Sequence, residues 1–281
     1  MTIRLAILAA LAALASLAAA DSAPAPRFSF AVLADIQYAD RGSANSRDYR
    51  GSLGKLAAAA AAIDAERPAF VVQLGDLVDD GAESSVRRVL PLLDGIRAPK
   101  HQVPGNHDLR RPGGGHSWYD FRRGGWRFVI LDGMDLNIAN PAGARMLAAL
   151  RQAGRKNAMD WNGGIGEQQK SWLRDVLASA ARKREPVVIF CHFPVVEEAS
   201  SAAHLLWNHE EIAAIVEQSG AVAWFNGHDH RGGYARRSGV HYVTFPGMVE
   251  SGEAGSWTMV RVHDDYMELR GSGTAPHRVL R

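Results

Sequence analysis

From residue 27 onward, short apolar runs alternate with stretches whose apolar positions recur every three or four residues. Residues 28–34, 70–74, 101–103, 128–131, 187–191 and 222–225 predict largely buried strands. Between them, residues 53–66, 84–93, 167–182 and 210–218 predict helices, the Ala-rich segment 57–62 being a strong helix former rather than a low-complexity tract. Beyond residue 230 the pattern changes to strands alone, at 234–237, 240–244, 257–263 and 266–271, with turns at Ser238-Gly239 and Asp264-Asp265. The expectation is an α/β chain with no internal repeat. Its length suits one domain over residues 27–281 better than two.

The N-terminus is set apart. Arg4 precedes an apolar run over residues 5–20, small residues stand at Ala18 and Ala20, and a Pro-rich stretch follows at residues 21–26. This predicts a secretory signal over residues 1–20, a linker over 21–26, and a secreted or periplasmic mature protein with no stable membrane association after cleavage. A retained anchor is the alternative, disfavoured because the run is shorter than a typical spanning helix. Hydrophobic content of 47% and charged content of 22% are ordinary for a globular chain with a substantial core. A net charge of +2 argues against a nucleic-acid partner, which needs a clustered basic excess. Cys191 is the single cysteine, so no intramolecular disulfide forms; at the end of an apolar run it reads as a buried filler. Oligomeric state leaves no signature.

The chemistry is concentrated where the predicted strands end. Asp35 and Gln37 follow the first run, Gly75-Asp76 the second, Gly105-Asn106-His107-Asp108 the third, His192 the fifth and Gly227-His228-Asp229-His230 the sixth. Each has an ordinary reading when taken singly: a cap, a turn, a satisfied core imidazole. Loops beyond the carboxyl ends of strands are also where α/β sheets gather ligands, so five remote loops can meet at one place. Carboxylate, carboxamide and imidazole groups in that order suit divalent metals held against a phosphate.

The order Asp-x-Gln, Gly-Asp-x-x-Asp, Gly-Asn-His-Asp, His and Gly-His-x-His resembles the calcineurin-like metallophosphoesterases. Within them, residues 28–40, 162–167, 205–211 and 227–234 are similar to the manganese-dependent ADP-ribose/CDP-alcohol diphosphatases. The resemblance implies a four-layer sandwich of two central sheets flanked by helices. It implies two divalent ions, Mn²⁺ first among them: one held by Asp35, Gln37, Asp76 and His230, the other by Asp76, Asn106, His192 and His228. Two such ions about 3.5–4 Å apart share a hydroxide for in-line attack on phosphorus. His107 is implied to face the substrate as an acid, with Asp108 orienting it, and Asp79 to support the ligand imidazoles. Gln37 stands where the wider superfamily usually has His, and is shared with the diphosphatases. The absence of a metal-binding Tyr at the position of Asp79 argues against purple acid phosphatases.

Among the other shared residues, Asn208 with Glu211 reads as a helix cap with its reciprocal Glu. Trp207 reads as a staple or core residue, with stacking on a nucleobase as the alternative. Arg231 and Tyr234 lie close enough to the His pair in sequence to touch a substrate. The implied function is hydrolysis of the pyrophosphate bond of ADP-ribose and of CDP-alcohols such as CDP-choline and CDP-glycerol, small-molecule nucleotides. The alternatives are a broader phosphodiesterase or phosphomonoesterase and a metal-binding module without turnover.

Overall fold

A computed structural model describes residues 25–108, 117–250, 252 and 254–281; the expected signal over residues 1–20 and most of the 21–26 linker lie outside the described residues. The first sheet is built from β1 (Phe28–Leu33), β2 (Val71–Gln73), β3 (Lys100–Gln102), β10 (Trp257–Val262), β11 (Met267–Ser272) and β12 (Arg278–Leu280), in the order β12-β11-β10-β1-β2-β3. The second contains β4 (Tyr119–Arg123), β5 (Trp126–Ile130), β6 (Val187–Phe190), β7 (Ala223–Asn226), β8 (Gly233–Arg237) and β9 (Val240–Thr244), in the order β4-β5-β6-β7-β9-β8. Both are mixed: β1, β2 and β3 run parallel, as do β5, β6, β7 and β9, and antiparallel strands complete each sheet.

The two-residue period of a strand decides the layering, because successive side chains face opposite sides. Phe30, Val32, Val72 and Leu74 of the first sheet meet Phe128, Ile130, Val188, Phe190 and Phe225 of the second in one buried core between the sheets. The alternate residues Ala31, Leu33 and Val71 turn outward onto α1 (Ser52–Glu66) and α2 (Glu83–Asp94), through Leu56, Ile63, Val89 and Leu93. On the far side, Val129, Ile189, Trp224 and Tyr242 meet α4 (Glu167–Lys183) and α5 (His209–Gln218), through Leu173, Leu177, Ile212 and Val216. Helix, sheet, sheet, helix is therefore the order of layers, with strands continuously apolar because both faces are covered. Among the described residues, no helix is long and apolar enough to cross a membrane.

Three elements go beyond the sequence expectation. β4 pairs with β5 through the tight turn Gly124-Gly125, both at positive φ, the left-handed conformation a two-residue hairpin demands. Helix α3 (Pro141–Gln152) opens with Asn140, whose side chain accepts from Gly143 N at 2.7 Å, and with Pro at the first turn. The short β12 closes one sheet edge against β11. The strands after residue 230 divide, β8 and β9 joining the second sheet and β10 to β12 the first.

Candidate metal centre and active site

All five strand-end clusters, which follow β1, β2, β3, β6 and β7, fall at one end of the two sheets, and backbone hydrogen bonds tie their loops together. Asp35 N donates to Gly75 O, Gln37 N to Asp76 O, Gly227 N to His192 O, and Gly247 N to His230 O, at 2.9–3.2 Å. Asp35, Gln37, Asp76 and His228 all adopt positive φ, between 43° and 69°. Each such residue costs on the order of 1 kcal/mol and persists where its surroundings over-determine it, typically at a functional site. Space is equally constrained: a Cβ at Gly105 would collide with the Asp76 carboxylate, and one at Gly227 with that of Asp35.

Three buried side chains form a group that could hold a metal ion. One donor atom each from Asp76, His192 and His228 lies within 4.8 Å of the other two. His192 Nδ1 donates to Leu74 O at 2.7 Å, which turns Nε2 inward toward Asn106 Oδ1 at 3.1 Å and Asp76 Oδ2 at 3.3 Å. His228 is oriented by Asn162: its Nε2 donates to Asn162 Oδ1 at 2.9 Å, while Asn162 Nδ2 donates to the carbonyls of Asn157 and Ala203 and so fixes which way the amide points. Both imidazoles thus direct their remaining nitrogens at the same spot, 3.1 Å apart. Two lone pairs at that separation need a proton or a metal cation between them.

A second group adjoins it through Asp76. Gln37 Nε2 donates to Asp76 Oδ2 at 3.0 Å, and Gln37 Oε1 is buried with no hydrogen-bond partner. A buried orphan carbonyl costs about 1–3 kcal/mol, which a cation would recover. Asp35 accepts from His228 N at 3.0 Å and lies 3.4 Å from His230 Nε2. His230 Nδ1 pairs with Glu250 at 3.0 Å, so its Nε2 faces Asp35 and the centre. The neutral imidazole, carboxylate and carboxamide donors fit hard-to-borderline divalent ions, and the orphaned Gln37 oxygen with the opposed imidazoles supports that fit.

Electrostatics follow the geometry. Burial disfavours the Asp76 carboxylate, but His192, His107 and backbone donation hold it well below the usual carboxylate range. Burial and the charge of Asp76 push Asp108 up to about 6, against opposing donation from Gly105 and Leu77.

Several expected roles change. Asp108 does not orient His107; its carboxylate accepts from Asp76 N, Leu77 N and Gly105 N at 2.8–2.9 Å, tying the second loop to the third. His107 instead donates from Nδ1 to Asp79 O at 2.6 Å, leaving Nε2 outward. Asp79 contacts Arg41 and lies 3.9 Å from Arg47 and from His107 Nδ1, so it supports His107 rather than a ligand imidazole. Trp207 is 2% exposed, its Nε1 donating to Met159 O, which closes it to stacking with a ligand. Asn208 makes no side-chain cap to α5; its carboxamide clasps Ile165 N and O, and Glu211 binds Lys170. Arg231 forks onto Asp229 at the surface. Tyr234 packs against the core between the sheets, bonds His241, and carries Arg278 over its ring at 3.7 Å, so it is committed away from any ligand.

The residues that sequence reasoning missed are those that surround and orient the candidate metal-binding side chains. Glu250 had no strand-end signature. Asn162 entered only as the first residue of the resembling segment 162–167, with no role of its own. Trp161, half-buried with its ring 5.2 Å from His228 and 5.1 Å from His204, forms an aromatic wall beside the centre.

The match to the calcineurin-like phosphoesterase family runs over residues 28–232, from the first strand to just past His230, and takes in every strand-end cluster described above. The chain belongs to that family. It is similar to manganese-dependent ADP-ribose/CDP-alcohol diphosphatases from Bos taurus, 30% identical over 90% of this chain and 94% of the relative, and from Oryza sativa subsp. japonica, 32% identical over 88% and 92%. A crystal structure of a dimetal phosphatase from Danio rerio superimposes with a TM-score of 0.83 at 28% identity, covering 91% of this chain and 99% of that one. A purple acid phosphatase from yellow lupin shares the fold, with a TM-score of 0.56 at 14% identity.

Proposed function

We propose that the protein is a Mn²⁺-dependent hydrolase of the pyrophosphate bond in ADP-ribose and CDP-alcohols, giving a nucleoside monophosphate and a phosphorylated sugar or alcohol. The observation that carries the metal-dependent reading is the buried meeting of Asp76, His192 and His228, with the unpartnered Gln37 oxygen beside it. Similarity to named diphosphatases over about nine-tenths of the chain supports the substrate class.

In this reading Asp35, Gln37, Asp76 and His230 would hold one ion, and Asp76, Asn106, His192 and His228 the other. When bound, the ions would neutralise phosphoryl oxygens and lower the pKa of water at the attacking position. The chain's own groups do the rest. Leu74 O and Asn162 fix the orientations of His192 and His228, so each, with its inward nitrogen deprotonated, would offer a lone pair to the centre without turning its ring. His107, anchored through Nδ1 on Asp79 O, presents Nε2 to the substrate side, where its protonated form donates to the departing phosphate oxygen. Trp161 supplies a face for the nucleobase, in place of the buried Trp207. The apolar leader supports export, with a mature chain beginning near Asp21.

The test is a panel of ADP-ribose, CDP-choline, cyclic AMP and a nitrophenyl monoester, each with Mn²⁺, Mg²⁺ or no metal. Fastest Mn²⁺-dependent cleavage of the first two is expected. Faster hydrolysis of the cyclic nucleotide or monoester would replace this reading with a broader phosphoesterase, and Mn²⁺ binding without turnover would replace it with a binding module. N-terminal sequencing of protein recovered from outside the cytoplasm tests the cleavage.

A further inference from the structure

A diphosphate substrate brings a second phosphoryl group with its own negative charge, and the centre described above serves only the phosphorus under attack. One side chain is placed to meet the other. Arg47 sits in a loop between β1 and α1, its backbone fixed by reciprocal bonds with Ala44, N to O in both directions at 3.0–3.1 Å. Its guanidinium is held at two ends. Nε donates to Glu250 Oε1 at 3.1 Å, the same oxygen that accepts from His230 Nδ1 at 3.0 Å. Nη1 lies 3.9 Å from Asp79 Oδ1, an oxygen equally 3.9 Å from His107 Nδ1. Two shared carboxylate oxygens therefore fix the cation between the His230 side of the centre and the His107 side. Tyr49 also hydrogen-bonds the Arg47 side chain, which nevertheless stays 36% exposed and so open to an anion arriving from solvent.

A planar guanidinium whose orientation is set by two carboxylates is preorganised for a further anion, and its fork matches phosphate oxygens. Resting on the diphosphatase reading, we propose that Arg47 binds the second, departing phosphoryl group and so determines preference for diphosphates over compounds with a single phosphorus. Asp79 and Glu250 act here as positioning residues. Arg41, placed on Asp79 and stacked over Tyr49 at 3.9 Å, secures the Asp79 side of the arrangement.

The experiment compares the parent with Arg47→Gln and Arg47→Lys, all loaded with Mn²⁺. Arg47→Gln is expected to lose about 10- to 100-fold in kcat/KM for ADP-ribose, mostly through KM, while a nitrophenyl monoester changes by less than about 2-fold. Arg47→Lys, which keeps the charge without the fork, is expected to recover part of the loss. Calorimetric binding of methylenediphosphonate and orthophosphate supplies a readout that needs no turnover. The parent should prefer the diphosphonate, and Arg47→Gln should lose most of that preference with Mn²⁺ affinity unchanged. Equal losses on ADP-ribose and the monoester, or weakened Mn²⁺ binding, would make Arg47 a strut for Glu250 and Asp79; unchanged binding of both the diphosphonate and orthophosphate would also overturn the proposal. A parent that binds diphosphonate through Arg47 yet leaves ADP-ribose intact would instead refute the substrate reading while keeping the subsite.

Discussion

Loading the centre with Mn²⁺ should expel protons, and the number can be worked from the structure. Burial opposes a charge on His192, but the Asp76 carboxylate 3.3 Å from Nε2, with help from Asp35, outweighs it and pushes the imidazole up to about 9. His230 behaves alike: burial lowers it, and Asp35 at 3.4 Å with Glu250 at 3.0 Å pushes it up to about 9. His228 moves the opposite way, held well below the usual imidazole range by burial and by the neighbouring His192 cation. At pH 7, before metal is added, His192 and His230 therefore each carry a proton on the nitrogen a cation would need. Two pKa units above ambient pH correspond to about 2.7 kcal/mol per group, so the pair costs the metal roughly 5 kcal/mol at pH 7. Apparent affinity should climb by up to about 100-fold per pH unit below 9 and then flatten. Titration calorimetry in buffers of differing ionisation enthalpy should count about two protons released at pH 7 and about one at pH 9. Stability follows with a definite sign. A raised histidine pKa stabilises the protein fully below about pH 6.5, and that contribution is lost as pH rises through about 9. The melting temperature without metal should fall across that window while the Mn²⁺-loaded protein stays level. Strong Mn²⁺ binding at pH 7 with no proton release would refute the protonation states and the ligand assignment together.

Asn162→Leu removes the acceptor that fixes the His228 tautomer, and is expected to weaken Mn²⁺ binding by about 10- to 100-fold; an unchanged titration in a variant of native circular dichroism would reject the role. Gln37→His exchanges an amide oxygen for an imidazole nitrogen and should tighten metal binding while altering substrate preference, so identical titration and substrate profiles would count against Gln37 as a ligand. Gly227→Ala puts a methyl group against the Asp35 carboxylate and should abolish Mn²⁺-dependent activity with little loss of secondary structure, whereas full activity would show that the loop can yield. Cys191 is fully buried, and burial pushes its thiol up to about 12, so iodoacetamide should leave it unmodified at pH 8 until the protein unfolds.

What could be read in the sequence and what could not divide along a physical line. Asp35, Asp76, Asn106, His192, His228 and His230 were legible because each interrupts an apolar pattern at a strand end, and parallel strands deliver such ends to one place. The layers were legible for a related reason, since strands covered on both faces must be apolar throughout. Glu250, Asn162 and Arg47 lie in loops, where polar residues are the rule and no periodicity marks an exception. Their importance arises only from tertiary contact: Glu250 with His230 across 20 residues of chain, Asn162 with His228 across 66, and Arg47 with Glu250 across 203. Local rules also mislead where a distant partner competes. Asn208 and Glu211 have the spacing of a reciprocal cap, but Ile165 offers Asn208 both a donor and an acceptor, and the near-buried Lys170 ammonium needs the carboxylate of Glu211. A side chain that can satisfy a buried backbone or charge elsewhere gains more than the cap, because an unpaired buried group costs more than a solvent-exposed helix end. Ligands that must sit at strand ends leave a pattern in one dimension, whereas the groups that aim them are chosen by reach in three. The second set therefore becomes visible only when the loops are placed.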